Sequence, residues 1–294
     1  MIEICFIIPA RNMDTLHRTL SMLSFQKDAG FRVLVADRSG TAAAHDVAAG
    51  FEHQMTVETV DLENSGLPLW KQCLDAARGA EWVCFLTPQV DLTPSSVRRM
   101  SRCIEDHPSY DIFHWNLTAP YRKYPLKTRP AGFFRRVFRE GDVAPISSFV
   151  IRAQVLREAF AADPDAAGMD LAVILSAARK TGIRSARWER ISYHAPAPVD
   201  DPAWVEKDVR ARLAFFRWSE GFFGEEDYPL DTGERLTLYA NELARLYPSF
   251  TYEELKADLN SFAVVNGPFR KMRAATVLKA ALKARQESLV MLKK

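Results

Sequence analysis

The sequence lacks the features that mark membrane-spanning, secreted or zinc-built proteins. No apolar run approaches the roughly 18 to 20 residues that cross a bilayer as a helix. The opening residues, Met-Ile-Glu-Ile-Cys-Phe-Ile-Ile-Pro, have neither the basic start nor the long apolar stretch of a secretion signal. Only four cysteines occur in 294 residues (Cys5, Cys73, Cys84, Cys103), and no two are spaced Cys-x-x-Cys, which argues against a disulfide or zinc framework. Cys5 and Cys84 lie inside apolar runs, where a free thiol acts as a small hydrophobe. Together these absences lead us to expect a reduced, cytoplasmic protein. The turn after the first apolar run, Pro9-Ala10-Arg11-Asn12, contains no glycine, and no P-loop occurs anywhere. A glycine-rich turn is what lets backbone approach a dinucleotide or triphosphate, so its absence argues against ordinary dehydrogenases and P-loop NTPases.

What is present is a globular composition, 48% hydrophobic and 26% charged, in a chain long enough for one large domain or two smaller ones. The charges nearly balance, 39 basic against 37 acidic, but their distribution is uneven. Residues 268–294 carry eight basic side chains (Arg270, Lys271, Arg273, Lys279, Lys283, Arg285, Lys293, Lys294) against Glu287, a net +7 that leaves −5 for the rest. A second basic stretch, residues 121–139, holds Arg122, Lys123, Lys127, Arg129, Arg135, Arg136 and Arg139 with no acid. Both stretches point to an anionic partner.

Through the first 120 residues, short apolar runs rich in Val, Ile and Phe alternate with amphipathic segments. Strands are predicted at 2–8, 31–36, 55–62, 82–86 and 111–117, with helices at 13–25, 41–51, 67–78 and 94–106. The last helix reads as capped by Thr93, with Pro94 at its first position. This rhythm predicts an α/β fold, a mostly parallel sheet with helices on both faces. Ligands of such sheets bind beyond the carboxyl ends of the strands. From 117 to 147 the pattern loosens. A strand at 148–151, helices at 154–161 and 169–180, and a strand at 184–191 follow. After Pro196, Pro198 and Pro202 only helical patterns remain, at 203–223, 233–246, 252–262 and 269–292. We therefore expect two domains, 1–199 and an all-helical 200–294.

The segments after the strands carry a more specific pattern. Ile7-Ile8-Pro9-Ala10-Arg11-Asn12 resembles the opening signature of family-2 glycosyltransferases with the GT-A fold. Val33-Leu34-Val35-Ala36-Asp37-Arg38-Ser39 is similar to that family's second strand and its Asp-Asp-Gly-Ser end. Asn64-Ser65-Gly66, Trp70-Lys71-Gln72 and Ala77-Arg78-Gly79 resemble its Asn-x-Gly, Ala-Arg-Asn and Ala-x-Gly segments. Glu81-Trp82-Val83-Cys84-Phe85-Leu86 looks like the strand leading to the metal motif. Gly168-Met169-Asp170-Leu171 resembles the Gly-Glu-Asp-x-x-Leu acceptor motif, and Tyr193-His194 the aromatic-x-His region. The likeness covers roughly residues 1–195 in order.

The resemblance implies transfer of a sugar from a nucleotide sugar to a hydroxyl of a glycan, glycolipid or glycoprotein, with inversion, as in polysaccharide biosynthesis. It implies Pro9, Ala10, Asn12 and Asp37 in the base and ribose pocket, Lys71 near the diphosphate, and Asp170 as general base. Each residue also has a plainer reading: a turn Asp for Asp37, a solvated helix face for Lys71, a dipole-placed helix carboxylate for Asp170, and a structural His194. One departure matters. The family's Asp-x-Asp, which binds a divalent ion, falls on Thr87-Pro88-Gln89, so Mg²⁺ or Mn²⁺ is a doubtful cofactor. Gln89, Asp91 and His194 are the candidates for the diphosphate or metal region, and Lys71, His194 and the 122–139 group could replace the metal by cationic contacts. The alternative is a GT-A-like glycan- or protein-binding module that has lost its metal site. The aromatics of the basic stretch (Tyr124, Phe133, Phe134, Phe138) allow a nucleic-acid reading, but an acceptor-side loop suits their position better. The tail, with Met272, Ala275, Leu278, Ala281, Leu282 and Leu289 near one stripe, suits an anionic membrane surface or a partner protein, and so a peripheral place on the membrane's inner face.

Overall fold

The computed structural model describes residues 2–27, 30–37, 41–62, 68–140, 144–194, 202–224, 226–231, 234–235 and 238. The chain divides into two compact units, Met1–Pro196 and Ala197–Lys294.

The first unit opens with the alternation that the apolar runs demand: β1 (Ile4–Ala10), α1 (Met13–Ser24), β2 (Phe31–Asp37), α2 (Ala43–Ala49), β3 (Val57–Asp61), α3 (Leu69–Ala76) and β4 (Trp82–Phe85). Then come β5 (Val90–Asp91), α4 (Ser96–Asp106), β6 (Ile112–Leu117), β7 (Lys127–Thr128), α5 (Pro130–Phe138), β8 (Phe149–Arg152), α6 (Ala153–Ala162), α7 (Asp170–Ala178) and β9 (Ile183–Tyr193). The nine strands form one sheet in the order β3-β2-β1-β4-β8-β6-β9-β5, with β7 on the side of β9. β1 pairs in parallel with both β2 and β4, and β2 with β3. β8 lies between β4 and β6 and runs against both. Six strands (β3, β2, β1, β4, β6, β9) therefore run one way, and only β8, β5 and β7 oppose them. The expected α/β architecture, mostly parallel and covered by helices, is what the chain adopts.

β1 and β4 are apolar without alternation because both faces of the sheet are covered. α1 turns Leu16, Leu20 and Leu23 inward at helical spacing. Phe6 stacks on Trp115, and Trp82 meets Phe113 edge-on, so the largest side chains fill the space around the central strands. Cys5, Cys73 and Cys84 are buried free thiols and Cys103 is half-buried. Burial pushes the Cys5 thiol up to about 11, which keeps it protonated and inert.

Three local details differ from the expectation. α4 begins at Ser96, and Ser96 Oγ accepts from the Thr93 amide at 2.9 Å, so the Thr93-Pro94 pair forms the turn before the helix. The stretch 117–147 is more ordered than its pattern suggests. It contains β7 and then α5, which has Pro130 at its first position and buries Phe133 and Phe134. Its arginines obscure the helical spacing of those aromatics. Gly182, at φ +73°, turns the chain into β9, and a Cβ there would stand 2.9 Å from the Thr128 carbonyl oxygen of β7.

β9 carries a bulge that matters for the site. His114 faces Ser185, but Asn116 faces Arg190, so residues 186–189 are pushed out of register. The fully buried Asn116 holds this bulge, donating to the Ala186 carbonyl (3.1 Å) and accepting from the Tyr124 amide (2.7 Å). Beyond the bulge β9 pairs with β5, Tyr193 opposite Val90 and Ser192 opposite Asp91.

In the second unit, α8 (Pro202–Phe223) covers the predicted 203–223 helix. The patterns at 252–262 and 269–292, and nearly all of that at 233–246, lie outside the described residues, as does the basic tail 268–294. Among the described residues no helix is long and apolar enough to cross a membrane.

Candidate active site

The carboxyl ends of β1 and β4 open into a cleft of about 460 Å³. Pro9, Arg11 and Thr15 line it from the β1–α1 junction, Leu69 and Trp70 from α3, and Thr87, Pro88 and Gln89 from the segment after β4. Pro145, Ile146, Asp170 and Tyr193 complete it. All belong to the first unit. A crossover sheet places its ligand site at these strand ends, because adjacent crossovers leave on opposite faces and open a gap there.

Asp170 stands in the first turn of α7, where the helix dipole favours a carboxylate. Its solvent-facing surface looks into the open cleft, while protein crowds it on the other sides. That crowding pushes its pKa above the ordinary value of 3.8, opposed by the hydrogen bond from Trp70 and by the charge of Arg11. Trp70 Nε1 donates to Asp170 Oδ1 at 2.6 Å, and the indole packs on Phe85, ring centroids 4.7 Å apart. The indole thus fixes one carboxylate oxygen.

The segment after β4 is pinned from below. Ser147 Oγ accepts from the Thr87 amide at 2.9 Å and lies 2.6 Å from Thr87 Oγ1. Beside the cleft, His194 Nε2 meets Asp91 Oδ2 at 2.7 Å, and Arg18 Nη2 donates to both Asp91 oxygens at 2.9 and 2.8 Å. The His194 amide donates to the Gln89 carbonyl at 2.7 Å. Tyr193 lies edge-on to Tyr121, and burial raises its phenol pKa.

Of the residues expected from the sequence, Pro9, Gln89 and Asp170 are brought together in the cleft, with Asp91 and His194 joined beside it. Ala10 is buried under it. Asn12 is the N-cap of α1, its Oδ1 accepting from the Thr15 amide at 3.0 Å. Asp37 ends β2 and is 1% exposed, between Ala10 of β1 and Asp61 of β3. Lys71 reaches along α3 to Asp75 (2.6 Å) and does not line the cleft; its neighbour Trp70 does. Consecutive helical residues diverge by about 100°, so the site turned on which of the two faced inward. Arg38, Ser39 and Asn64-Ser65-Gly66 lie outside the described residues. Sequence reasoning missed Arg11, Thr15, Trp70, Thr87 and Tyr193 as site residues. Arg11, Trp70 and Tyr193 sat inside the resembling runs and carried a signal, and Thr87 stands where the family's Asp-x-Asp falls; Thr15 lay outside all of them.

The donor set does not fit a hard divalent cation. Thr87 and Gln89 are neutral; of the two carboxylates, Asp170 in the cleft has one oxygen engaged by Trp70, and Asp91 beside it is already held by Arg18 and His194. Among the described residues no three His, Cys, Asp or Glu side chains converge as a metal site.

The order of strands, the antiparallel β8 and the cleft at the β1 and β4 ends define the GT-A glycosyltransferase fold, and solved structures agree. TarS 1–349 from S. aureus in complex with UDP-GlcNAc matches with a TM-score of 0.60 and 13% identity, over 98% of this chain and 91% of that one. The UDP complex of the same protein matches with a TM-score of 0.56 and 13% identity over 97% and 88%. The mannosyltransferase PcManGT from Pyrobaculum calidifontis, in complex with GDP-Man and Mn²⁺, matches with a TM-score of 0.52 and 14% identity over 96% and 86%. No protein-family model and no curated protein matches the chain.

Proposed function

We propose that this protein is a nucleotide-sugar-dependent glycosyltransferase acting on a glycan or glycoconjugate hydroxyl, with Asp170 as its general base. The observation that carries the reading is the Asp170 carboxylate. It is oriented by Trp70 and faces an open cleft at strand ends, in a fold whose similar structures were solved with UDP-GlcNAc and GDP-Man. In the proposed reaction the acceptor oxygen attacks the anomeric carbon. The bond from that carbon to the diphosphate oxygen breaks, its electron pair leaving with the diphosphate, and the hydroxyl proton passes to the Asp170 carboxylate. Attack opposite the leaving group inverts the configuration. The raised pKa makes Asp170 a better proton acceptor than a carboxylate at its ordinary value. We place this chemistry in polysaccharide or glycoconjugate assembly at the cytoplasmic face of a membrane, with residues 268–294 as the basic contact.

Asp170→Asn tests the reading. It keeps the hydrogen-bonding shape but removes the proton acceptor, and a positioned base contributes roughly 10² to 10⁴ in rate. We expect turnover of UDP- or GDP-sugars to fall by that much with nucleotide affinity retained, and the wild-type rate to fall in acid above the ordinary carboxylate pKa of 3.8. Unchanged turnover would remove Asp170 from the chemistry. The neutral Thr87-Pro88-Gln89 supports a second reading, a binding module that has lost catalysis; nucleotide binding without any turnover would favour it.

A further inference from the structure

The cleft has no donor set for a divalent cation, yet it presents one cation of its own. Arg11 leaves the carboxyl end of β1 with its side chain exposed to the cleft. Among the described residues its guanidinium makes no hydrogen bond or ion pair, and its charge is felt by Asp170 across the same cleft. The other cations near the site are engaged: Lys71 with Asp75, and both Arg18 and His194 with Asp91. An ionised guanidinium facing a cleft is a ready partner for an oxyanion. Its planar fork matches two phosphate oxygens at once, and such charge-assisted pairs are shorter and stronger than neutral ones. The surrounding Thr15, Thr87 and Gln89 add neutral polar groups with no competing carboxylate other than Asp170.

On the reading that this cleft takes a nucleotide sugar, we propose that Arg11 binds the donor's diphosphate directly and does so in place of a divalent cation. A fixed cation there has two consequences. It offsets the repulsion between the diphosphate and the Asp170 carboxylate, which share one cleft. It also stabilises the negative charge that gathers on the leaving diphosphate as the anomeric bond breaks, without reorganising at that moment.

The test is calorimetric titration of the full chain with UDP, GDP, uridine and guanosine, in excess EDTA and again in Mn²⁺. Arg11→Gln and Arg11→Lys are measured beside the wild type, each first checked for an unchanged melting temperature. We expect one nucleoside diphosphate to bind as tightly in EDTA as in Mn²⁺. Arg11→Gln should then lose roughly 10- to 100-fold of diphosphate affinity, the worth of a hydrogen bond to a charged group, with the parent nucleoside unaffected. Arg11→Lys, which keeps the charge but loses the fork, should fall between. Diphosphate binding that requires Mn²⁺, or that survives Arg11→Gln intact, overturns this proposal and leaves the transferase reading standing. If none of the four ligands binds the wild type, that reading falls as well.

Discussion

At the scale of single residues, burial decides which titratable groups can act. Asp170 is crowded by protein yet open to the cleft, its pKa raised and its carboxylate held in orientation by the Trp70 indole, which is what the proposed base requires. His114 is the opposite case. It is buried in β6 between Tyr124 and Phe149, and neither ring nitrogen has a hydrogen-bond partner. Desolvation, assisted by the charge of Arg136, pushes its pKa down from 6.5 to about 3. The sign follows directly. Between those values the unfolded chain binds a proton on His114 that the folded chain refuses, so stability is full above about 6.5 and declines as pH falls towards 3. Each pH unit in that window costs on the order of 1 kcal/mol from this side chain. His114→Phe keeps a ring between Tyr124 and Phe149 but cannot titrate. We expect its stability, from urea unfolding at pH 7, 6, 5 and 4, to decline less steeply than that of the wild type. Parallel curves would assign the acid sensitivity elsewhere.

At the scale of elements, the site is a product of how strands end. β1 stops at Ala10, Arg11 falls in the turn, and Asn12 caps α1 through Thr15. Asn12 was expected to touch the nucleotide, and the cap gives it a second occupation that can be separated by experiment. Asn12→Ala should lower stability by about 0.5–2 kcal/mol, the usual worth of a cap. A cap-only residue leaves nucleoside affinity unchanged once the protein is folded; a loss of affinity beyond the loss of stability, read by titration well below the melting temperature, restores the binding role. The strand and helix rhythm to residue 117 was legible because parallel, doubly covered strands are continuously apolar and their helices amphipathic. The positions of β8 and β5 were not. β8 inserts between β4 and β6, which neighbour neither it nor each other in sequence, and β5 is two residues long and exists only because the bulged β9 reaches it. The strand β8 itself was predicted at 148–151, but its place in the sheet leaves no periodic trace, and β5 leaves none at all.

At the scale of the whole molecule, the net charge of +2 hides the separation of a +7 tail from a −5 remainder. Each basic side chain near an anionic surface contributes about 1 kcal/mol, screened by salt. Deleting residues 268–294 should therefore reduce sedimentation with anionic vesicles and remove most of its salt dependence. Equal sedimentation of the two chains would leave the tail without a membrane role. By itself the sequence determined the α/β class, the order of most elements in residues 1–195, and the resemblance to one fold through short runs at strand ends. Those features are local, since hydrophobic period and turn residues are written along the chain. It also singled out Asp170, because a short motif precedes its helix. Only the tertiary structure decided that Trp70 and not Lys71 faces the cleft, and that Asp91 is spent on Arg18 and His194. Only the tertiary structure left Arg11 in the cleft as a cation with no hydrogen bond or ion pair among the described residues. Those outcomes depend on rotation about a helix axis and on side chains up to about a hundred residues apart, and no pattern within one segment encodes them.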